Sequence, residues 1–446
     1  ILKKGDVVAE KYIEVFKEIA AKQIIKKKKK RVSRNTDKKQ ISKINLTGDN
    51  YYTRSYVLGK LKIKLGDSLS RHEITKRIYL LSATKNYERI EYQLKKQEDG
   101  SYNLNFSLKE SKDDAALSLG AHYDYLYKSG LLVNYSQKHL LLENDLFSLD
   151  VILGDNLRYN LNYFVDNGFY LSYGFRSRYS HFRANSKFNS VVSQYPSISS
   201  INLKYKDITN QFFVQTTFSR KFALGLGAEH KHLKASTETI TINSKDKIID
   251  NSNYYSGFGY LKLDTYDAKY FVTKGYYADL NFKWYMNSSS DINNFTSFSQ
   301  ITGTFGFATT IADEVTFKMT SSAGSTIGPP DSDVFDFYLG GYNQNYINTF
   351  VPLYGYDFAE LSDNSFFKSE FKLSYPFLEK HHASFIANYA RLDHNVFKDI
   401  EVFKDIRSGY AVGYSYNSLV GPLELKYSWS PDTNQNYWLF NLGFWF

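Results

Sequence analysis

Residues 437–446 read YWLFNLGFWF, and in an extended strand Trp438, Phe440, Leu442, Phe444 and Phe446 fall on one side while Tyr437, Asn441 and Gly443 fall on the other. Residues 421–430 repeat the pattern. Leu423, Leu425, Tyr427 and Trp429 share one face, and Glu424, Lys426 and Ser428 share the opposite one. One face must meet water and the other an apolar medium. A closed barrel in a bilayer, lipid outside and a wet lumen inside, satisfies both demands.

The same alternation runs back to Ala116. LSLGAHYDYLY at 117–127, LRYNLNYFV at 157–165 and GYYADLNFKWYM at 275–286 each set aromatic and aliphatic positions against polar ones. Sixteen such segments are countable between 117–127 and 437–446. A membrane strand needs about 9–11 residues, and bacterial barrels take even strand numbers. The expectation is therefore an all-β membrane protein, a sixteen-stranded antiparallel transmembrane β-barrel over 113–446. Connections at Asp166-Asn167 and Ala312-Asp313 are tight, whereas 183–202, 236–252 and 327–364 read as long loops. Short turns are expected to face the periplasm and long loops the exterior.

Composition agrees. The 446 residues include 39 Tyr and 34 Phe but only 7 Pro and no Cys. No run of 18 apolar residues occurs, so a helical span is excluded. The absence of Cys removes disulfides, thiolate catalysis and cysteine metal sites together. Residues 1–116 hold 28 Lys and Arg against 15 Asp and Glu, a net of +13, while the remainder carries a net of −3. Such a basic segment is attracted to anionic lipid headgroups. Nucleic acid is the competing partner, but no nucleic-acid motif accompanies the charge.

Taken in order, GDVVAEKYIEVFKEIAAKQII at 5–25 places Val8, Tyr12, Val15, Phe16 and Ile19 at helical spacing. An apolar stripe needs a body to pack on, so this helix is read as the end of an upstream domain. The chain opens without an initiator Met or a secretory signal, and a segment is expected to precede it. Residues 26–40 form a basic linker. A compact unit follows over 41–112: a strand, a short helix, a helix with Ile74, Ile78 and Leu81 on one face capped by Ser70 and Glu73, then a hairpin turning at Asp99-Gly100. That order, with Gly66-Asp67 before the second helix, resembles a polypeptide-transport-associated (POTRA) domain, a small α+β domain that in its family sits in the periplasm before a sixteen-stranded barrel.

The longest loop carries FDFYLGG and PLYGY, an aromatic content better suited to a lumen than to open water. Gly340 and Gly341 permit a tight reversal, and Gly355 allows close backbone approach. This loop resembles the lumen-inserted loop of the BamA-like superfamily of assembly factors and two-partner transporters, whose tip is Arg-Gly-aromatic. Leu353, Tyr354, Gly355 and Tyr356 align with that tip, with Tyr354 in place of Arg. FVTKG at 271–275, with Val272 for the usual Pro, and LVGPLELKYSWSP at 419–431 resemble two further family stretches. Where the family places the acidic partner of the tip Arg, this sequence has Asn388. A neutral contact between Tyr354 and Asn388 is expected, since it leaves no buried charge unpaired. The Tyr tip, the preceding helix and the linker together resemble the membrane half of patatin-like phospholipases, in which a lipid acyl hydrolase precedes one POTRA domain and the barrel.

The chain carries no catalytic dyad. Gly413-Tyr414-Ser415-Tyr416-Asn417 lacks the final Gly of a nucleophile elbow and sits in a strand pattern. His230 with His232, and His381 with His382, lack a third metal ligand at fixed spacing. No catalytic residue, cofactor or metal site is expected here. The resemblance implies an outer-membrane protein whose first and last strands meet at a weak seam, with Phe440, Leu442, Phe444 and Phe446 forming its closing edge and C-terminal signal. Partners would be outer-membrane lipid, an upstream patatin-like domain and client polypeptides captured by strand addition. Three functions remain open: anchoring or translocating that hydrolase domain, assembling or secreting other clients, or serving as a passive porin. A homodimer is also left open.

Overall fold

A computed structural model describes the chain except residues 1–11, 22–37, 49–51, 113, 125, 169–170, 187–191, 193, 196, 219–221, 243–244, 290–294, 313, 331, 343–348, 398–403 and 444–446. The basic linker therefore lies almost wholly outside the described residues, as do Val8, Phe444 and Phe446. The chain divides into two units, one of residues 1–47 and 63–108 and one of residues 48–62 and 109–446.

The first unit holds helix α1 (Ile13–Ala21), strands β1 (Lys39–Gly48, whose last residue falls in the second unit) and β2 (Ser68–Leu69), helix α3 (Arg71–Ser82), and strands β3 (Tyr87–Lys96) and β4 (Tyr102–Glu110), whose last two residues also fall in the second unit. The sheet order is β2-β1-β4-β3. Ile41, Ile44, Ile63, Ile74, Leu81, Leu104 and Phe106 are buried. Helix α3 opens with a full capping box: Ser70 Oγ accepts from Glu73 N at 3.2 Å, and Glu73 Oε2 accepts from Ser70 N at 2.8 Å. Gly100 turns the hairpin at φ +82°. The stripe on α1 is bare, with Tyr12, Ile13, Val15, Phe16 and Ile19 all exposed.

Helix α2 (Arg54–Leu61) belongs with the second unit, where Lys60 pairs with Asp166 at 2.5 Å. The rest of that unit is a closed antiparallel barrel of sixteen strands. They are β5 (Ala115–Asp124), β6 (Lys128–Lys138), β7 (Asp145–Gly154), β8 (Arg158–Val165), β9 (Ser172–Ser186), β10 (Ile201–Phe218), β11 (Phe222–Ile242), β12 (Lys245–Asp264), β13 (Gly275–Ser288), β14 (Phe298–Ala312), β15 (Val315–Ile327), β19 (Ser365–Leu378), β20 (His381–Asp393), β21 (Arg407–Ser418), β22 (Gly421–Ser430) and β23 (Gln435–Gly443). Three short strands, β16 (Phe337–Leu339), β17 (Phe350–Val351) and β18 (Leu361–Asp363), lie in the loop between β15 and β19. Outward positions are apolar as the alternation requires: Trp438 is 64% exposed while its neighbour Leu439 is 5% exposed.

One expected loop is absent. Residues 236–252 do not leave the wall; β11 and β12 continue as a tall hairpin through Ile242 and Lys245, with register shifts after Ala235 and Thr237. Strands β9 to β12 are 15, 18, 21 and 20 residues long, against 10, 11, 10 and 8 for β5 to β8. The polar stretch STETITI at 236–242 reads as a loop by hydropathy, but its β-branched residues favour extended backbone.

A sheet closed over sixteen strands leaves little backbone open to detergent. Unheated in SDS, the protein is expected to migrate ahead of its boiled form; coincident bands would contradict the closed barrel.

Candidate functional site: the lumenal loop and the seam

The loop between β15 and β19 folds back into the barrel as a small sheet of order β17-β16-β18. Its aromatic residues fill the space between facing walls. Phe335 sits 4.9 Å from the rings of Tyr254 and Tyr285 and 4.8 Å from Phe298. Phe358 lies 5.2 Å from Phe182 and 4.8 Å from Phe350. On the other side Phe337, Leu339, Leu353 and Tyr356 pack with Phe366 and Ala390.

Two glycines make the reversal possible. Gly340 has φ +138°, and a Cβ there would lie 1.9 Å from Asp357 O. Gly341 has φ +72°, donates its N–H to Tyr356 O at 3.0 Å and accepts from Leu353 N at 3.1 Å. The tip then runs along β20, β21 and β22. Gly355, at φ +84°, approaches Trp429 so closely that a Cβ would lie 2.6 Å from its carbonyl oxygen. Tyr356 donates its hydroxyl to Asp432 at 2.6 Å, and Asp432 also accepts from Ser408 N at 2.7 Å.

Tyr354 and Asn388 meet through the main chain of Tyr354. Asn388 Oδ1 accepts from Tyr354 N at 2.8 Å, while its Nδ2 donates to Gly409 O at 2.9 Å and to Tyr354 O at 3.4 Å. Asn388 is fully buried. A carboxylate could accept from Tyr354 N but could donate to neither carbonyl, so an amide fits this place. The Tyr354 ring lies 5.8 Å from that of Tyr342.

Three contributors were not singled out from sequence. Gly409 lies under the tip, where a Cβ would come within 1.8 Å of Tyr354 O. Tyr342 bridges a buried ion pair: its hydroxyl donates to Glu424 at 2.7 Å and accepts from Lys426 Nζ at 3.1 Å, while Lys426 and Glu424 are 3.0 Å apart. Glu424 and Lys426 were already legible as the lumen face of β22; nothing in the sequence joined them to Tyr342, 82 and 84 residues away. Asp336 stands in the loop with Asp333 and Asp363 nearby. Burial, reinforced by those two carboxylates, pushes its pKa up to about 7.

The seam has a different character. Strands β22 and β23 share eight register positions and β5 and β6 share ten, but β23 and β5 share three among the described residues: Asn441 with Asp124, Leu442 with Tyr123 and Gly443 with His122. The upper end of β5 thus meets the lower end of β23. Among the described residues, Ala115–Ala121 and Gln435–Phe440 have no strand partner across the seam. Leu117 and Leu119 on that edge are 67% and 71% exposed. Phe440 reaches across to Tyr123, ring centroids 6.1 Å apart. At the junction Asp124 accepts from Leu126 N at 2.6 Å and Tyr127 N at 2.8 Å, and contacts His122 Nε2 at 2.5 Å.

The paired histidines serve other ends. His230 and His232 both bond Asn253 Oδ1, at 3.1 and 3.2 Å. His381 bonds the Tyr414 hydroxyl at 2.7 Å, and His382, on the opposite face, stacks on Phe271 at 4.3 Å. No group of three or more His, Cys, Asp or Glu suited to a metal occurs among the described residues.

Two mutations and one titration test this seating. Asn388→Ala leaves the Tyr354 N–H and two carbonyls without their amide and should weaken the tip by about 1–3 kcal/mol, read as faster protease cleavage within the loop. Gly409→Ala should do at least as much, because a Cβ only 1.8 Å from Tyr354 O forces β21 or the tip backbone to move. Asp336 binds its proton more tightly folded than unfolded, so its contribution falls as pH rises from about 4 to about 7 and is flat above. Hydrogen exchange in the loop, corrected for intrinsic rates, should quicken over that window in wild type and not in Asp336→Asn.

Residues 102–446 match the OMP85 superfamily. No curated protein matches the chain in sequence. BamA from Haemophilus ducreyi, in a crystal structure lacking POTRA domains 1-3, superposes with a TM-score of 0.64 at 15% identity, covering 91% of this chain and 84% of that one. CdiB from Acinetobacter baumannii superposes with a TM-score of 0.56 at 12% identity, covering 91% and 73%. At such identities the likeness to these two proteins is one of fold. The family match spans most of the sequence and agrees with the sixteen-stranded closed sheet, and the chain belongs to the OMP85 superfamily of outer-membrane β-barrel proteins.

Proposed function

We propose that the protein handles polypeptides in the outer membrane, pairing an extended client segment with the open edges of its first and last strands. The observation that carries this reading is the seam: among the described residues it has three register positions where neighbouring junctions have eight and ten. An edge strand offers a row of unpaired N–H and C=O groups, and a client strand can satisfy them. The first unit acts in the periplasm as a POTRA domain, with the β3–β4 hairpin as a second edge for pairing. Short turns then face the periplasm and the lumenal loop enters from outside.

The loop argues against a passive porin. Its packed aromatics occupy part of the lumen, and cavities of about 770 and 380 Å³ lie beside them among the described residues. In planar bilayers the wild type should show no large steady current, and excision of residues 332–360 should open one.

The bare stripe on α1 favours a more specific form of the same reading, in which the barrel anchors or translocates an upstream patatin-like lipid acyl hydrolase that covers that stripe. A Gly-x-Ser-x-Gly element encoded ahead of Ile1, with acyl hydrolase activity in the full-length product, would support it. Other clients handled by the same seam are the alternative.

Cysteines at Tyr123 and Leu442, which are register partners, should lock the seam when oxidised. Photo-crosslinkers placed at Leu117 or Leu119 in cells should capture polypeptide in the reduced state and lose it in the locked one. Equal capture in both states would exclude the seam as the working surface.

A further inference from the structure

The tall side of the barrel reverses its alternation partway up. Near the short-turn end of β10 and β11, apolar side chains such as Phe212, Val214, Leu224 and Leu226 point outward. Inward positions there are polar, among them Gln211 and Glu229, joined at 2.6 Å. Above Lys231 the assignment inverts: Leu203, Tyr205, Leu233 and Ala235 are buried inside, and the outward positions between them are basic.

Those outward residues form a rank across three strands. Register pairs His181 with Lys206 and Arg183 with Lys204 between β9 and β10, and Lys206 with Lys234 between β10 and β11. Lys206 thus directly opposes a second cation, Lys234, as Lys204 opposes Arg183. Directly opposed like charges destabilise a sheet unless something compensates them. Lys204 is held by Glu238 and by Asp246, the latter at 3.0 Å. Arg183, Lys206 and Lys234 make no ion pair among the described residues.

The height of the rank identifies the compensating group. The outward belt begins at Phe218 and Phe222, whose rings stack at 5.2 Å beside the short turn. Lys234 is twelve residues further along β11. At about 3.3 Å per residue and a tilt of about 40°, that is a rise of roughly 30 Å, just past an apolar band of about 25 Å. The swap in alternation marks the same level independently. The rank therefore faces lipid at the depth of the headgroups, where the anions are phosphates.

We propose that Arg183, Lys206 and Lys234 form a binding site for a phosphate-bearing lipid headgroup in the leaflet on the long-loop side. Arg183 presents a planar fork suited to two phosphate oxygens, and the lysines supply point charges. The site depends on the membrane barrel alone and is independent of the seam mechanism.

The test uses the whole protein in phosphatidylcholine nanodiscs doped with diphosphorylated lipid A or its dephosphorylated form, read by native mass spectrometry. Wild type should retain the phosphorylated lipid at least tenfold over the dephosphorylated one, and retention should fall with added salt. Lys206→Glu/Lys234→Glu should abolish the preference, and Lys206→Gln/Lys234→Gln should reduce it by tenfold or more while keeping the gel shift of a closed barrel. Millimolar inorganic phosphate should not displace the lipid. No phosphate preference in wild type, equal retention by the folded Gln variant, or displacement by free phosphate would each overturn the proposal.

Discussion

In hydrocarbon every peptide N–H and C=O needs a partner within the protein, at a cost of several kcal/mol for each one left open. That requirement closes the sheet, and it also makes the place of incomplete pairing the most consequential part of the wall. Among the described residues, fifteen of the sixteen junctions are matched over eight or more positions, and the junction of β23 with β5 over three. The loop braces one bank of this seam. Its tip is bonded to β20 through Asn388, which also bonds Gly409 O of β21; Tyr342 joins the loop to Glu424 and Lys426 of β22, and Tyr356 reaches Asp432 beyond it. On the opposite bank, Tyr127 after β5 packs on Phe182 of the tall wall, 5.3 Å away. Phe182 also meets Phe358 of the loop at 5.2 Å, so the loop's hydrogen bonds hold one bank while its aromatic packing reaches the other.

The way the tip is held follows from its burial. A lone charge there would need a partner of opposite sign and full hydrogen bonding to offset desolvation. Asn388 avoids the problem, since one amide satisfies a main-chain donor and two main-chain acceptors without net charge. The nearby ion pair is not left to face the lumen unaided: the Tyr342 hydroxyl both gives to Glu424 and takes from Lys426, so loop and wall share one network.

Most of the wall was legible because a strand that separates lipid from water must alternate, and alternation survives in a single sequence. The end of β23 showed it plainly, with Trp438 and Phe440 outward and Leu439 and Asn441 inward. The loop was legible as a plug because FDFYLGG and PLYGY are too apolar for solvent. The atoms that seat it were not. The family resemblance placed Asn388 opposite the Tyr354 side chain, whereas the bond is to its peptide group, and no local pattern distinguishes the two. Gly409 looks like one more strand glycine until the tip lies across it. Tyr342 and Glu424 are separated by 82 residues and meet only when the barrel is closed.

The misread stretch at 236–252 has a physical cause that reaches further. Alternation with an apolar outer face is a property of the bilayer, not of the strand. Once β10 and β11 rise above the hydrocarbon, water lies outside, and the apolar positions must turn inward if they are to be buried at all. Leu203, Tyr205, Leu233 and Ala235 do so, and with Phe182, Tyr254 and Tyr285 they line a cavity that would otherwise be wet. The loop supplies the missing packing, placing Phe335, Phe350 and Phe358 against that lining. Tall strands and an inserted loop are therefore one solution: without the loop the upper wall would expose apolar residues to solvent on its inner face, and without the tall wall the loop aromatics would have nothing to pack against.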